Sequence, residues 1–220
     1  MSGMPAEQWK GYTWDDYRAW QDGKRWEIIG GEAFDMTPAP ALSHQAISRE
    51  LEYRLVTFFA GKACQVFYAP TDVKLSEEDI VQPDIVVVCN RDQMKETHVE
   101  GPPRLVIEIL SPGSLRHDRV RKMELYARFG VKEFWLVTPE PALVEVFVLD
   151  KTSYRLHGGY GPDETVRSAA FPKLRLSLVG VFAFAGGSSA GQVRKVKEPA
   201  VPYGRRAGSR SRGPARYRQP

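Results

Sequence analysis

The chain has 220 residues, 31 Lys plus Arg against 27 Asp plus Glu, 42% hydrophobic residues and two cysteines. That is enough for one ordinary domain with a sizeable core; it excludes a fully disordered polyelectrolyte and a disulfide-rich scaffold. The net charge of +4 is unevenly spread, because residues 187–220 hold nine basic residues and one acid, leaving 22 of the 31 basic and 26 of the 27 acidic residues in 1–186.

From the amino end, Thr13 followed three residues on by Asp16 predicts a capped short helix with Trp14, Tyr17 and Trp20 as aromatic surface. RWEII, Gly30-Gly31 and EAFDM predict a β-hairpin, since a Gly-Gly pair supplies the positive φ angles of a tight turn. From Ser43 as N-cap to Ala60, Ile47, Leu51, Leu55, Phe58 and Phe59 recur at helical spacing. CQVFY and DVKL are short β-prone runs, and DIVVVC and RLVIEIL have the continuous apolar character of central strands covered on both faces. Pro112 and Gly113 stop the latter, and LRHDRVRKMELYARFG predicts a second helix capped by Gly130. KEFWLV, LVEVFVL and SYRLH predict three more strands, the last two divided by a turn at Asp150-Lys151, with GGYG at 158–161 as a loop. The order predicts an α/β or α+β architecture around a mixed sheet, with a domain over 1–186.

Residues 187–220, rich in Gly, Ser, Pro and Arg, are expected to be a disordered basic tail: an electrostatic arm for nucleic acid or simply a solvated extension. GSSAG within it matches a nucleophile-elbow pattern only formally. Cys64 and Cys89 have no CxxC partner and read as buried thiols of a reducing compartment. With neither an apolar leader nor a run of roughly 18 apolar residues, the expected location is cytoplasmic.

Two acids are out of character with their surroundings. Asp84 opens the IVVV strand after Pro83, and Glu108 lies inside VIEIL. A buried ionised carboxyl costs several kcal/mol unless it meets an ion-pair partner or a metal, or takes a proton. For Glu108 the structural alternative is an ion pair with an Arg or Lys of the following helix. On that helix Asp118, Lys122 and Tyr126 fall at steps of four. They form either a surface Asp-to-Lys pair or a row delivering a lysine to the carboxylates. Arg116, Arg119, Arg121 and Arg128 make the segment locally basic, and the first three are candidate nucleic-acid contacts.

Taken together, RWEIIGGEAFDMTPAPALSHQAISREL, QPDIVVV, RLVIEILSPGS and HDRVRKMELYARFGVKEFWLV resemble the Uma-type family of bacterial restriction-endonuclease-like domains, a branch of the PD-(D/E)xK nuclease superfamily, over about residues 10 to 180. The resemblance implies a restriction-endonuclease-like mixed β-sheet flanked by helices, with a divalent-metal site at its edge. It makes Asp84 the acid of the PD element and Glu108 that of the (D/E)xK element. Leu110 stands where the superfamily has its lysine, and Lys122 fits a lysine moved to the helix. The implied activity is Mg²⁺- or Mn²⁺-dependent hydrolysis of DNA phosphodiester bonds, with Asp84, Glu108 and the Ile109 main-chain carbonyl as hard oxygen ligands. Lys122 would orient water or stabilise charge. Supporting candidates are Glu50, ranked above His44, with Gln82 beside the PD element and Asp72 on a neighbouring strand. The alternative is a binding or interaction module that keeps the fold without catalysis, in line with the acidic balance of 1–186. DNA is the expected partner, a homodimer is expected for cutting both strands of a symmetric site, and no membrane association is expected.

Overall fold

The computed structural model describes residues 11–36, 41–111 and 117–184, the side chains of 117–119 excepted. The proposed tail and its GSSAG segment lie outside the described residues.

Helix α1 (Trp14–Ala19) starts at Thr13, whose hydroxyl accepts from the Asp16 N–H while Asp16 accepts from the Thr13 N–H, a complete capping box. Strands β1 (Trp26–Ile29) and β2 (Glu32–Asp35) form the hairpin, turned by Gly30 at φ 59° and Gly31 at φ 78°. Helix α2 (Leu42–Phe59) begins one residue ahead of Ser43: Ala41 is the N-cap and makes no side-chain capping bond, so the serine cap is corrected. Its buried stripe is His44, Ile47, Leu51, Leu55 and Phe59. Then follow β3 (Gln65–Tyr68), β4 (Asp72–Lys74), β5 (Ile80–Val81), β6 (Ile85–Val88), β7 (His98–Glu100) and β8 (Leu105–Ile109). A π-helical turn (His117–Lys122) leads into α3 (Met123–Phe129), closed by Gly130 at φ 81°. Strands β9 (Glu133–Thr138), β10 (Leu143–Asp150), β11 (Ser153–Tyr160), β12 (Thr165–Arg167) and β13 (Arg175–Ser177) complete the described chain.

The strands make an α+β fold of three sheets. The central one has six strands in the order β11-β10-β9-β8-β6-β3, antiparallel except for the parallel pair β8 and β9, which the π-turn and α3 connect. A second sheet runs β2-β1-β5-β4-β7, and β12 pairs with β13. Alternation along the central strands splits the core in two. Ile85, Val87, Leu105, Ile107, Ile109 and Trp135 pack with α2 and the β12–β13 hairpin. Val86, Val88, Val106, Leu110, Phe134 and Leu136 pack with α3 and residues of the second sheet. The apolar runs IVVV and LVIEI are therefore buried on both faces.

Two further expectations are corrected. GGYG is no loop, because 158–160 are the last residues of β11, paired with Val146, Glu145 and Val144 of β10. Cys64 and Cys89 are joined as a disulfide. They flank the β3–β6 ladder, one step past the pair Gln65 and Val88, and that adjacency arises from strand pairing across 25 residues, which no spacing motif records.

Candidate active site at the ends of β6 and β8

Strands β6 and β8 pair antiparallel with Ile85 opposite Ile107. One step further along the same register, Asp84 comes opposite Glu108. Cross-strand partners of this kind have Cβ atoms about 5 Å apart. The Asp84 side chain also closes the ladder, its Oδ2 accepting from the Ile109 N–H at 2.7 Å. The same oxygen meets His44 Nε2 at 3.2 Å, a residue on the first turn of α2 that is only 8% exposed. Extending the stripe Ile47, Leu51, Leu55 back by three residues lands on His44, so its inward direction was readable from helical periodicity.

Glu108 is 3% exposed. Its Oε1 accepts from the Tyr126 hydroxyl at 2.6 Å and from Lys122 Nζ at 3.1 Å. Lys122, 1% exposed, also lies 2.8 Å from Glu27 Oε1. The ion-pair reading and the lysine-delivery reading of Glu108 thus describe one contact: the helix brings its ammonium to the strand's carboxylate. Hydrogen bonding from 117 to 122 is π-helical, and of the row at steps of four Lys122 and Tyr126 both reach Glu108. A single wide turn of this type often accompanies a functional site. The side chains of Asp118 and Arg119, and all of Arg116, lie outside the described residues. Arg121 turns to the hairpin, its guanidinium 4.9 Å from the centre of the Phe34 ring and 3.5 Å from Glu32.

Glu27 is the site residue the sequence reading missed. It sits mid-strand in β1, fully buried, and accepts from the Gln82 N–H at 2.8 Å as well as meeting Lys122. The signal existed, since Glu27 within RWEII is an acid among apolar strand residues just as Glu108 is within VIEIL. Gln82 extends the network outward. Its amide nitrogen donates to Asp72 Oδ1 at 2.8 Å and to the Tyr17 hydroxyl at 3.1 Å, while its carbonyl accepts from Arg25 Nε at 2.9 Å. Tyr17 donates to Asp72 Oδ1 at 2.6 Å. Burial and the adjoining Asp72 carboxylate push the Tyr17 phenol above its ordinary range, so it remains a donor.

Glu50 is not drawn into this network. It pairs with Arg54 at 2.7 Å and Arg49 at 3.3 Å, and the Arg54 hydrogen bond holds its carboxyl below the usual range. The structure brings His44, ranked below Glu50, to Asp84 and pairs Glu50 with arginines instead.

Among the described residues, no group of three or more His, Cys, Asp or Glu is placed to hold a metal ion. The donor set still suits one kind of cation. Mg²⁺ is characteristically held by one or two carboxylates and completes its shell with water and substrate phosphate, whereas a closed cage of several side chains suits other metals. Asp84 and Glu108, register partners at the ends of neighbouring strands, meet that requirement. Two carboxylates, Glu27 and Glu108, also meet the one Lys122 ammonium. No described helix is long and apolar enough to cross a membrane.

Comparison with known proteins adds three findings. The model of the Uma2 family, described as "Putative restriction endonuclease", matches residues 14–179. An uncharacterised protein of Synechocystis sp. is 27% identical over 126 residues, 56% of this chain; the matched part spans 66% of that relative. The crystal structure of "a putative nuclease belonging to DUF820" from Anabaena variabilis superposes with a TM-score of 0.64 at 20% identity, covering 79% of this chain and 98% of that one. At that identity the likeness is one of fold.

Proposed function

The chain belongs to the Uma2 family, and from that premise we propose that it is a Mg²⁺- or Mn²⁺-dependent endonuclease hydrolysing DNA phosphodiester bonds at the ends of β6 and β8. The observation that carries the proposal is the register pairing of Asp84 with Glu108, with the Lys122 ammonium on the Glu108 carboxylate.

Asp84, Glu108 and the Ile109 carbonyl are the groups that would hold the ion. Such a cation makes its bound water more acidic and neutralises charge on the scissile phosphate. Lys122 contributes a fixed positive charge whose position is set by two carboxylates, so it needs little reorganisation as negative charge builds on phosphorus oxygens. Tyr126 orients Glu108 through the same Oε1. His44 and the Ile109 N–H fix Asp84, and Glu27 aims Lys122 from the opposite side. In the net reaction a water oxygen bonds to phosphorus, the phosphorus–oxygen bond to one nucleotide breaks, and the departing oxygen takes a proton.

The test is nicking of supercoiled plasmid by the purified full chain with Mg²⁺ or Mn²⁺, and with chelator as control. Asp84→Ala and Glu108→Gln are expected to lower cleavage at least about 100-fold, with melting temperatures showing that the fold persists. Cleavage by both variants at the wild-type rate removes this site from the mechanism. Calorimetry is expected to register Mn²⁺ binding that Glu108→Gln abolishes. A non-catalytic binding module would instead bind DNA without metal-dependent nicking. Sedimentation of the protein on a palindromic duplex tests whether it acts as a homodimer.

A further inference from the structure

Helix α1 and the segment entering β1 enclose a cleft of about 500 Å³. Three of the chain's five tryptophans, Trp14, Trp20 and Trp26, line it. Trp14 is buried with Ile28 and Ile80. Trp20 and Trp26 remain half-buried, crossing edge to face with ring centroids 5.6 Å apart, and the Trp26 indole is fixed by donation to Asp22 at 2.8 Å. Rings placed this way keep flat apolar area at the solvent boundary, held in one orientation. The lining carries both signs, Arg18 and Lys24 beside Asp22 and Asp72; the Lys24 ammonium lies 5.2 Å from the Trp26 ring centre and pairs with Asp35 at 3.0 Å.

The polar wall leads to the candidate active site. Asp72 and Tyr17 line the cleft; Gln82 binds both through its amide and binds Glu27 through its main-chain N–H. Glu27 in turn holds Lys122, which meets Glu108. One unbroken series of contacts therefore joins the tryptophan cleft to the acids of the strand ends.

We infer that this cleft is a nucleobase subsite, taking one unpaired base of the strand being cut and stacking it on one of the Trp20 and Trp26 rings with its edge against the other. The inference rests on the phosphodiesterase reading and deepens it. Aromatic faces accept any base, so they add affinity without demanding a sequence. Asp72 offers a carboxylate to an exocyclic amino group, and Arg18 and Lys24 suit the flanking phosphates. The volume fits a small-molecule-sized group and is far too small for a turn of duplex. A proline-rich peptide is the competing occupant of an aromatic groove; continuity with Lys122 favours the nucleotide.

The experiment uses the full chain in chelator, so that nothing is cut, and a 12-nucleotide single-stranded oligodeoxynucleotide followed by anisotropy and tryptophan emission. Binding is expected to quench the emission. Trp20→Ala is expected to weaken it about tenfold, the effect of losing one base–aromatic stack, and Trp20→Phe to restore most of it. Thr97→Tyr, at an exposed position lining the cleft, is expected to weaken binding similarly by filling the space, with an unchanged melting curve. Wild-type affinity in Trp20→Ala, Trp26→Ala and Thr97→Tyr, an absence of oligonucleotide binding, or quenching by a polyproline peptide alone overturns the inference. Plasmid nicking separates it from the reading it rests on. Glu108-dependent nicking with tryptophan-independent binding removes only the subsite, whereas tryptophan-dependent binding without nicking upholds the subsite and removes the nuclease.

Discussion

Glu108 on β8 and Glu133 on β9 are both buried carboxylates on neighbouring parallel strands, yet they are held by different kinds of partner. The register sets them three residues apart, with Leu105 opposite Glu133 and Glu108 opposite Leu136, and alternation sends them to opposite faces of the sheet. Glu133 Oε1 accepts from the Trp135 indole at 2.6 Å. Its Oε2 accepts from the Ser168 hydroxyl at 3.1 Å and from the N–H groups of Ala169 and Ala170 at 2.7 and 2.6 Å. These donors are all neutral, and two belong to the backbone of the turn after β12, so the carboxylate fastens that turn to the sheet. Glu108 accepts from the neutral Tyr126 hydroxyl but also from an ammonium that meets Glu27, and it stands opposite a third acid, Asp84. Burial by itself therefore does not identify a functional acid. What differs between the two is the ammonium: Lys122 meets Glu108 and Glu27 together, whereas the donors on Glu133 are neutral groups that close a loop.

Substitutions can break or sharpen that contrast. The largest expected effect is on catalysis: Glu108→Ala lowers plasmid nicking about 10³-fold, read as initial rate per folded molecule. Glu133→Ala is expected to act on stability, because truncation strands three buried or half-buried N–H donors, at a cost of about 4 kcal/mol. That corresponds to a melting temperature roughly 10 °C lower, with nicking per folded molecule retained. Loss of nicking in Glu133→Ala at full stability would erase the distinction between the two acids. Third in size, Cys89→Ser opens a link closing a span of 25 residues; chain entropy puts the loss at about 3 kcal/mol, and denaturant titration of oxidised and reduced protein measures it. Since Asp84 lies at the other end of β6 from Cys89, nicking below the melting transition should be unaffected.

The smallest effect concerns Glu50. Its pair with Arg54 is an i, i+4 contact on the partly exposed side of α2, worth about 0.5 kcal/mol or less. Because the Arg54 hydrogen bond lowers the folded-state pKa of Glu50, the unfolded chain takes up the proton first as pH falls. The contribution is thus present above the unfolded-state value and disappears as pH drops through the folded one. Melting curves of wild type and Glu50→Ala should differ slightly near neutral pH, converge in acid, and accompany equal nicking rates. A large loss of nicking in Glu50→Ala would return this residue to the site.

What the sequence determined by itself is everything that depends on neighbours within a few positions. The capping box at Thr13, the Gly30-Gly31 turn, the Gly130 cap and the apolar runs of β6, β8 and β9 are set by local dihedral preferences and periodicity, and they were legible for that reason. Asp84, Glu108 and Lys122 stood out as charges in or beside apolar segments, and the stripe of α2 already pointed His44 inward. The same rule applied equally to Glu27 and Glu133, and it could not rank the three buried glutamates. Short strands such as β5, β7, β12 and β13, two or three residues each, carry too little periodicity to be recognised before their partners are known. Only the tertiary structure decided that Glu27 meets Lys122 across 95 positions, that Cys64 bonds Cys89, and that His44 rather than Glu50 reaches Asp84. Each depends on strand register and on which helix face is pressed to the sheet, quantities settled by packing the whole core and absent from any one segment.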